Sequence, residues 1–203
     1  MARPRDPNLE DRILKAARRL WRKEGQNGLT LRAVARVART NTPAVYRRFP
    51  HRDDILRALL QQTKQEVFQQ LTTASSVEDA CERYLDFALS HPHEYELYYL
   101  HEYELFFSSP SKQGVTLDQL INKRRPAVEF IKGKLAAKMG GKPDDYTLTT
   151  LALWALLHGT AMLLTAKTVQ PDYATEMRAA CRAALQTILR DARNISLAGG
   201  QET

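Results

Sequence analysis

Imidazole and carboxylate groups, which together can bind zinc or iron, cluster in one short part of the chain. They belong to His91, His93, Glu94, His101 and Glu102. Their spacing argues against a metal site, because Pro92 separates the first two histidines and the third lies further along what should be one helix. We interpret His91 and His93 as residues at a helix end, where a cation suits the exposed carbonyl groups. The sequence therefore predicts no metal.

Catalytic chemistry has no visible support elsewhere in the chain. His158 lies in a stretch without charged residues, and no acid is placed by sequence to orient it as a base. We interpret it as a hydrogen-bonded core histidine. There is no glycine-rich phosphate loop, nucleophile elbow or HExxH pattern. We expect neither an enzyme nor a cofactor.

Side chains suited to nucleic acid lie between residues 42 and 48. Thr42, Tyr46, Arg47 and Arg48 combine small polar, aromatic and basic groups on one predicted helix. A short helix with such a face outward suits the major groove of double-stranded DNA, where phosphates line both edges.

Two short helices joined by a tight turn must position these side chains. Thr30 is the predicted N-cap of the first helix, whose apolar residues recur at helical spacing from Leu31 to Ala38. Asn41 and Pro43 signal the start of the second helix, and Pro50 stops it. Two helices of this length cannot bury enough apolar surface alone, so they need the preceding helix as a cover.

Charge is distributed unevenly along the chain. Residues 1–58 contain 15 Lys and Arg against 6 Asp and Glu, a net charge of +9, whereas residues 59–203 contain 15 against 17, a net charge of −2. A basic face indicates a polyanionic partner, although it can also serve solubility alone. Its coincidence with the two-helix pattern favours DNA.

The chain predicts an all-α fold, because Ala, Leu, Glu, Lys, Arg and Gln dominate and no long run alternates apolar with polar residues. We expect a flexible arm (1–8), a helix-turn-helix domain (9–56), a helical ligand-binding and dimerisation domain (57–196) and a disordered tail (197–203). Outside the two short helices, the predicted helices are 8–24, 52–71, 77–90, 94–107, 116–139, 146–166 and 172–195.

Residues 146–166 carry no formal charge and are long enough to span a bilayer. We reject a membrane span because several threonines, a histidine and a glycine interrupt the stretch, and we expect a helix buried against its own core and a partner. Cys81 and Cys181 are isolated, and the N-terminal residues contain no apolar stretch that could act as a signal peptide. We expect a cytoplasmic protein.

The order of these features resembles the tetracycline-repressor (TetR) family of DNA-binding regulators. The residues that carry the resemblance are Gly25, Thr30, Ala35, Ala38, Val45, Tyr46, Phe49, Pro50 and Arg52. The family usually has Gly-Val in the turn where this chain has Arg39-Thr40, so Arg39 is expected at strained backbone angles. The helical domain 57–196, called the body below, resembles a TetR subgroup that is named for its Trp-His-Gly residues. In this chain these residues are Trp154, His158 and Gly159.

The resemblance implies a homodimer that binds a palindromic operator, most simply as a repressor, and releases it when a small molecule binds the body. It places Thr42 and Ala44 at base edges and Pro43 near a thymine methyl group. Phosphate contacts are implied for Tyr46, Arg48, Thr30 and Arg52. The neighbouring residues Arg32, Arg39, Asn41 and Arg47 complete the candidate DNA surface.

An aromatic cluster admits two interpretations, a pocket wall or ordinary core. It contains Tyr95, Tyr98, Tyr99, Tyr103 and Phe106, and with Trp154 and His158 it forms the candidate ligand site. The alternative to a regulator is a helical small-molecule carrier or an enzyme. In that case the basic charge of the helix-turn-helix domain (9–56), called the head below, would have no role in binding DNA.

Overall fold

A computed structural model of the chain describes residues 6–107, 126–166 and 170–198, with side chains at all of these positions except 100–107, 171 and 196–198. The regular elements in these ranges are all helical, as predicted. They are α1 (Leu9–Gly28), α2 (Leu31–Val37), α3 (Thr42–Arg48), α4 (Arg52–Thr72), α5 (Val77–Ser90), α6 (Pro92–Phe107), α7 (Pro126–Met139), a 3₁₀ turn (Pro143–Tyr146), α8 (Thr147–Thr165), α9 (Pro171–Arg190) and α10 (Ala192–Ala198).

The first of two compact units contains residues 6–66 and 91–107 of the described chain. Its core forms because α1 turns one apolar stripe towards the two short helices and α4. The fully buried members include Ile13, Ala17 and Trp21 of α1, Val34 of α2, Val45 of α3 and Ile55 of α4. Each buried aliphatic or aromatic side chain of this size contributes about 1.5–3 kcal/mol of transfer free energy.

The regular part of α1 ends at Gly25, as the sequence predicts. This residue has φ 58° and ψ −141°, angles that a residue with a side chain rarely adopts. A Cβ atom here would also lie 2.9 Å from Nδ1 of His93. Glycine therefore serves both the backbone turn and the close approach of α6.

A buried carboxylate joins α6 to α1. Glu94 is only 1% exposed, and its Oε1 accepts a hydrogen bond from Nε of Arg18 at 2.8 Å. Its Oε2 lies 2.9 Å from Nε of Arg22 as an ion pair without hydrogen-bond alignment. Arg18 also pairs through both terminal nitrogens with Glu66 of α4, which holds the pKa of that carboxyl below its usual value. Beside this cluster, Nε1 of Trp21 donates to the carbonyl of His93 at 2.6 Å.

The second compact unit contains residues 67–90, 126–166 and 170–198 of the described chain. Within it α8 packs against α5 and α9. Arg182 Nε donates to Glu82 at 2.6 Å and Arg178 Nη2 donates to Asp86 at 2.6 Å, so two surface ion pairs join α5 to α9. The buried Lys132 similarly ties α7 to the 3₁₀ turn through Asp144 at 2.6 Å.

These bounds differ from the predicted ones at several helix ends. The helix α1 extends to Gly28 instead of residue 24, and α6 begins at Pro92 instead of residue 94. The predicted helix 172–195 is divided at Asp191, which separates α9 from α10. The predicted helix 116–139 is described from Pro126 to Met139, and its residues 116–125 lie outside the described residues. The first compact unit runs to residue 66 and includes α6, and the domain boundary at residue 56 stays a prediction.

Parts of other predicted segments lie outside the described residues. Of the arm, residues 1–5 do so, and of the tail, residues 199–203 do so. Within the described chain, one segment, Pro143–Thr165, is long and apolar enough to cross a membrane by length and composition, with a mean hydropathy of 1.5. One such helix is weak evidence, because a core helix of a soluble protein passes the same test.

Candidate nucleic-acid interface

The starts of α2 and α3 are fixed by the caps that the sequence predicts. The Thr30 hydroxyl oxygen accepts a hydrogen bond from the backbone N–H of Ala33 at 3.1 Å. The side-chain oxygen of Asn41 accepts from the N–H of Ala44 at 2.8 Å. Both caps satisfy a backbone donor that a helix start would otherwise leave unpaired.

The helix α3 presents a polar and basic face outward. Tyr46 is 51% exposed, Pro43, Arg47 and Arg48 are exposed, and Thr42 is half-buried. Within the described residues Arg47 has no ion pair, and Arg48 makes one long contact, 3.5 Å from its Nη1 to Oε2 of Glu10. A face of this kind can place hydroxyl and guanidinium groups against bases and phosphates.

Ala44 does not fit the predicted base-edge position. It is only 5% exposed, because it occupies the inner side of α3 beside Val45. The helical period turns residues 44 and 45 towards the core when residues 43, 46 and 47 face outward. Thr42 and Pro43 remain the candidates for base contact from this turn.

Arg52 has a positioning role inside the head. Its Nε donates to the carbonyl of Leu29 at 2.8 Å, and its Nη2 donates to the carbonyl of Gln26 at 2.9 Å. These carbonyls follow Gly25, where the regular part of α1 ends and helix geometry supplies no partner. The side chain thus holds the lead-in to α2, and the phosphate contact that the family resemblance implies for it stays a prediction.

An open groove of about 1030 Å³ gathers five of the predicted DNA residues. Its walls are Gln26, Asn27, Leu29, Thr30, Leu31, Arg32, Thr42, Tyr46 and Arg52. The predicted residues Arg39, Asn41, Pro43, Ala44, Arg47 and Arg48 lie outside it. Gln26 and Asn27 are exposed polar residues that sequence reasoning missed, because they follow the end of a helix and belong to no motif.

The candidate ligand residues on α6 differ in how deeply their side chains are buried. Tyr95 is 1% exposed and is core, which corrects its predicted place in a pocket wall. Tyr98 packs against the hydrophobic core of the head. Tyr99 is half-buried, with its ring centroid 4.6 Å from that of Tyr95 and 4.7 Å from that of Tyr98. The side chains of Tyr103 and Phe106 lie outside the described residues.

Two further candidate ligand residues lie together on α8, in the second compact unit. The rings of Trp154 and His158 are stacked, with centroids 5.4 Å apart and planes inclined by 5°. Partial burial lowers the pKa of His158, because desolvation disfavours its charged form. The imidazole is therefore neutral near pH 7.

No metal centre appears among the side chains that the structure describes. Within them, no three His, Cys, Asp or Glu residues lie close enough together to hold an ion. The side chains of His101 and Glu102, two of the metal candidates, are outside that set.

Solved structures of the same architecture cover nearly the whole chain. A TetR variant from Acinetobacter baumannii AYE in complex with minocycline matches with TM-score 0.61 and 16% identity, over 95% of this chain and 99% of that one. The multidrug binding protein EbrR complexed with ethidium matches with TM-score 0.60 and 20% identity, over 91% and 99%. A TetR-like transcriptional regulator from Rhodococcus sp. RHA1 matches with TM-score 0.58 and 17% identity, over 93% and 97%. At these identities the likeness concerns the fold.

Two family models match the two parts of the chain. Residues 13–59 match the bacterial regulatory proteins of the tetR family, and residues 77–188 match the tetracyclin repressor-like C-terminal domain. No curated protein matches the chain. The second model alone spans more than half of the residues, and the first covers the capped helix pair described above. The chain therefore belongs to the TetR family of DNA-binding transcriptional regulators.

Proposed function

We propose that this protein is a cytoplasmic repressor that binds a palindromic operator as a homodimer and releases it when a small molecule occupies the helical body. The observation that carries the proposal is the outward face of α3, where Tyr46 and Arg47 are exposed and the preceding cap fixes the helix start. Neither side chain contributes to the core, so the fold alone does not explain them.

The DNA contacts are tested by replacing Tyr46 or Arg48 with alanine. Each change is expected to weaken operator binding about tenfold, since a lost charge-assisted phosphate contact removes about 1.5–3 kcal/mol at most. Arg48→Ala is also expected to reduce the slope of log affinity against log salt by about 1 per half-site, because one fewer counterion is released. A mobility-shift titration at several salt concentrations measures both effects.

The matched control for this test is Arg57→Ala. Arg57 is exposed in the same head but pairs with Asp54 at 3.0 Å on α4, so its loss changes the charge without removing a proposed contact. Unchanged binding by both the Tyr46 and Arg48 variants would contradict the assignment. A genome-wide DNA pull-down with the purified protein supplies the operator, and failure to recover any DNA would favour the helical carrier or enzyme.

The second part of the proposal is the small-molecule site. Similar structures hold minocycline or ethidium. In this chain Tyr99 of the first unit, and Trp154 and His158 of the second unit, are separate candidate ligand residues, and we place the body in the Trp-His-Gly subgroup. A ligand releases DNA only if it prefers one conformation of the protein, because equal affinity for both shifts nothing. A tenfold loss of operator affinity requires about 1.4 kcal/mol of coupling.

Tyr99→Ala tests the ligand site. We expect at least one of minocycline, ethidium and proflavin to release the operator from the wild type, and the variant to need about tenfold more of that compound. Tyr95→Ala is the matched control, because Tyr95 is core and its loss leaves a cavity that lowers the melting temperature. A large fall in melting temperature for Tyr99→Ala, with a normal response to the compound, would show that Tyr99 is core too.

The third part of the proposal is the homodimer, for which the second unit offers an apolar surface. Of the five large hydrophobic side chains that are exposed in the described chain, four lie on α8 and α9: Leu148, Met162, Leu163 and Tyr173. Gly159 of α8 is also exposed, and a Cβ atom there would meet nothing within 4 Å. Glycine inside a helix costs about 1 kcal/mol relative to alanine, and no contact in this unit requires it. Close approach by a partner helix explains both observations.

A further inference from the structure

The turn between α2 and α3 has the hydrogen bonds of a Schellman motif. The N–H of Thr40 donates to the carbonyl of Ala35 at 3.0 Å, and the N–H of Arg39 donates to the carbonyl of Arg36 at 3.2 Å. In this motif the residue at the position of Arg39 adopts left-handed angles and is usually glycine. Arg39 has φ 53°, as its place in the turn predicts.

Arginine is an unfavourable residue at this position. Among the described residues it is the single non-glycine residue with a positive φ. Left-handed angles bring Cβ too close to the following carbonyl, and Arg39 lacks the short polar side chain with which asparagine or aspartate offsets this cost. Its side chain is exposed and forms no hydrogen bond or ion pair among the described residues, so polar contacts within the fold do not explain the arginine.

Arg36 and Arg32 extend the same basic edge along α2. Both are exposed, and like Arg39 they have no ion pair or side-chain hydrogen bond among the described residues. They lie four residues apart on one helix, where like charges repel each other. Arg12 and Arg18 of the same unit form ion pairs and Arg52 binds backbone carbonyls, whereas Arg19 and Arg47, like these three, have no ion pair among the described residues.

We propose that Arg36 and Arg39 form a phosphate-binding pair that adds affinity for duplex DNA independently of base sequence, and that Arg39 occupies its strained position for this purpose. The inference rests on the proposed function. The first helix of a helix-turn-helix crosses the DNA backbone while the second enters the groove, so the end of α2 faces phosphates. A guanidinium group suits phosphate oxygens because its planar donors can form two parallel hydrogen bonds.

The experiment measures the affinity of Arg39→Gly and Arg36→Gln for two duplexes of equal length by fluorescence anisotropy. One duplex has the sequence recovered by the pull-down and the other has a random sequence. We expect each variant to bind both duplexes about 5- to 10-fold more weakly, with a salt slope that is lower by about 1 per half-site. We also expect Arg39→Gly to melt at the wild-type temperature or about 2–4 °C above it, because glycine relieves the strain.

Two controls separate this contact from a general effect of charge. Arg19→Gln removes an exposed charge of α1 that has no ion pair among the described residues, and Arg39→Lys keeps the charge at the turn. We expect near wild-type affinity for Arg19→Gln and a loss smaller than that of Arg39→Gly for Arg39→Lys, because lysine keeps the charge but cannot form two parallel hydrogen bonds. Equal loss in Arg19→Gln, or wild-type affinity in Arg39→Gly, would overturn the inference while the proposed function stands. A wild type that binds neither duplex would overturn both.

Discussion

Replacing Glu94 by alanine is expected to destabilise the protein by about 3 kcal/mol or more, because it leaves two arginines beside a buried site without their carboxylate. Arg18 has only 19% of its side chain exposed and cannot turn fully to water, although it keeps Glu66 as a partner. For a chain of this length, the loss corresponds to a fall in melting temperature of about 6–12 °C. Thermal and denaturant unfolding of the purified variant measure it.

The matched control for the Glu94 substitution is a change of Glu96, which lies on the same helix. Glu96 has 44% of its side chain exposed, and its contact with His93 is long, at 3.6 Å. Glu96→Ala is therefore expected to change stability by less than about 1 kcal/mol, as surface ion pairs contribute little. Equal small losses in the two variants would show that the buried cluster does not stabilise the unit.

Glu94→Gln tests whether the charge of this side chain or only its shape stabilises the protein. The amide fills the same volume and keeps one acceptor oxygen, but it presents an N–H₂ group to a neighbouring guanidinium, where a donor faces a donor. We expect a loss of stability close to that of alanine. We also expect the loss of the Glu94 charge to disturb the DNA surface, because Glu94 holds α6 against α1 and α1 packs on α2.

Replacing Leu163 by aspartate is expected to weaken dimerisation by about 100-fold or more. Leu163 is 50% exposed in the single chain, so the change costs little in the folded monomer, but in a dimer it would bury two unpaired charges. Sedimentation over a range of concentrations measures the dissociation constant. Ala184 and Ile188, which the heptad-like spacing of α9 indicates as interface residues, are half-buried in their own unit and are less selective probes.

Ala137→Asp provides the control for this experiment. Ala137 is exposed on α7, in the same compact unit, and lies outside the apolar surface of α8 and α9. A wild type that is monomeric at micromolar concentration, or equal dissociation of both variants, would refute the proposed interface. Loss of the dimer is also expected to reduce operator binding, because two heads must be held about 34–36 Å apart, or a multiple of it, to reach successive major grooves.

The sequence by itself determined the helix-turn-helix and most helix bounds. Thr30 and Asn41 cap the predicted helices, α5 has the predicted bounds, and Arg39 adopts the strained backbone angle that its place in the turn suggested. All of these features depend on residues within about four positions of one another, because caps, turns and helical periodicity are local properties of the backbone.

Only the tertiary structure decided which polar side chains the core uses. Glu94 and Arg18 are 76 residues apart, and no local pattern distinguishes this glutamate from its exposed neighbour Glu96. Tyr95 and Ala44 looked available for ligand or DNA but are buried, and Arg52 is bound to carbonyls 23 and 26 residues away. Such outcomes depend on which distant surfaces meet, because burial and ion pairing are set by packing between elements that separate parts of the chain supply.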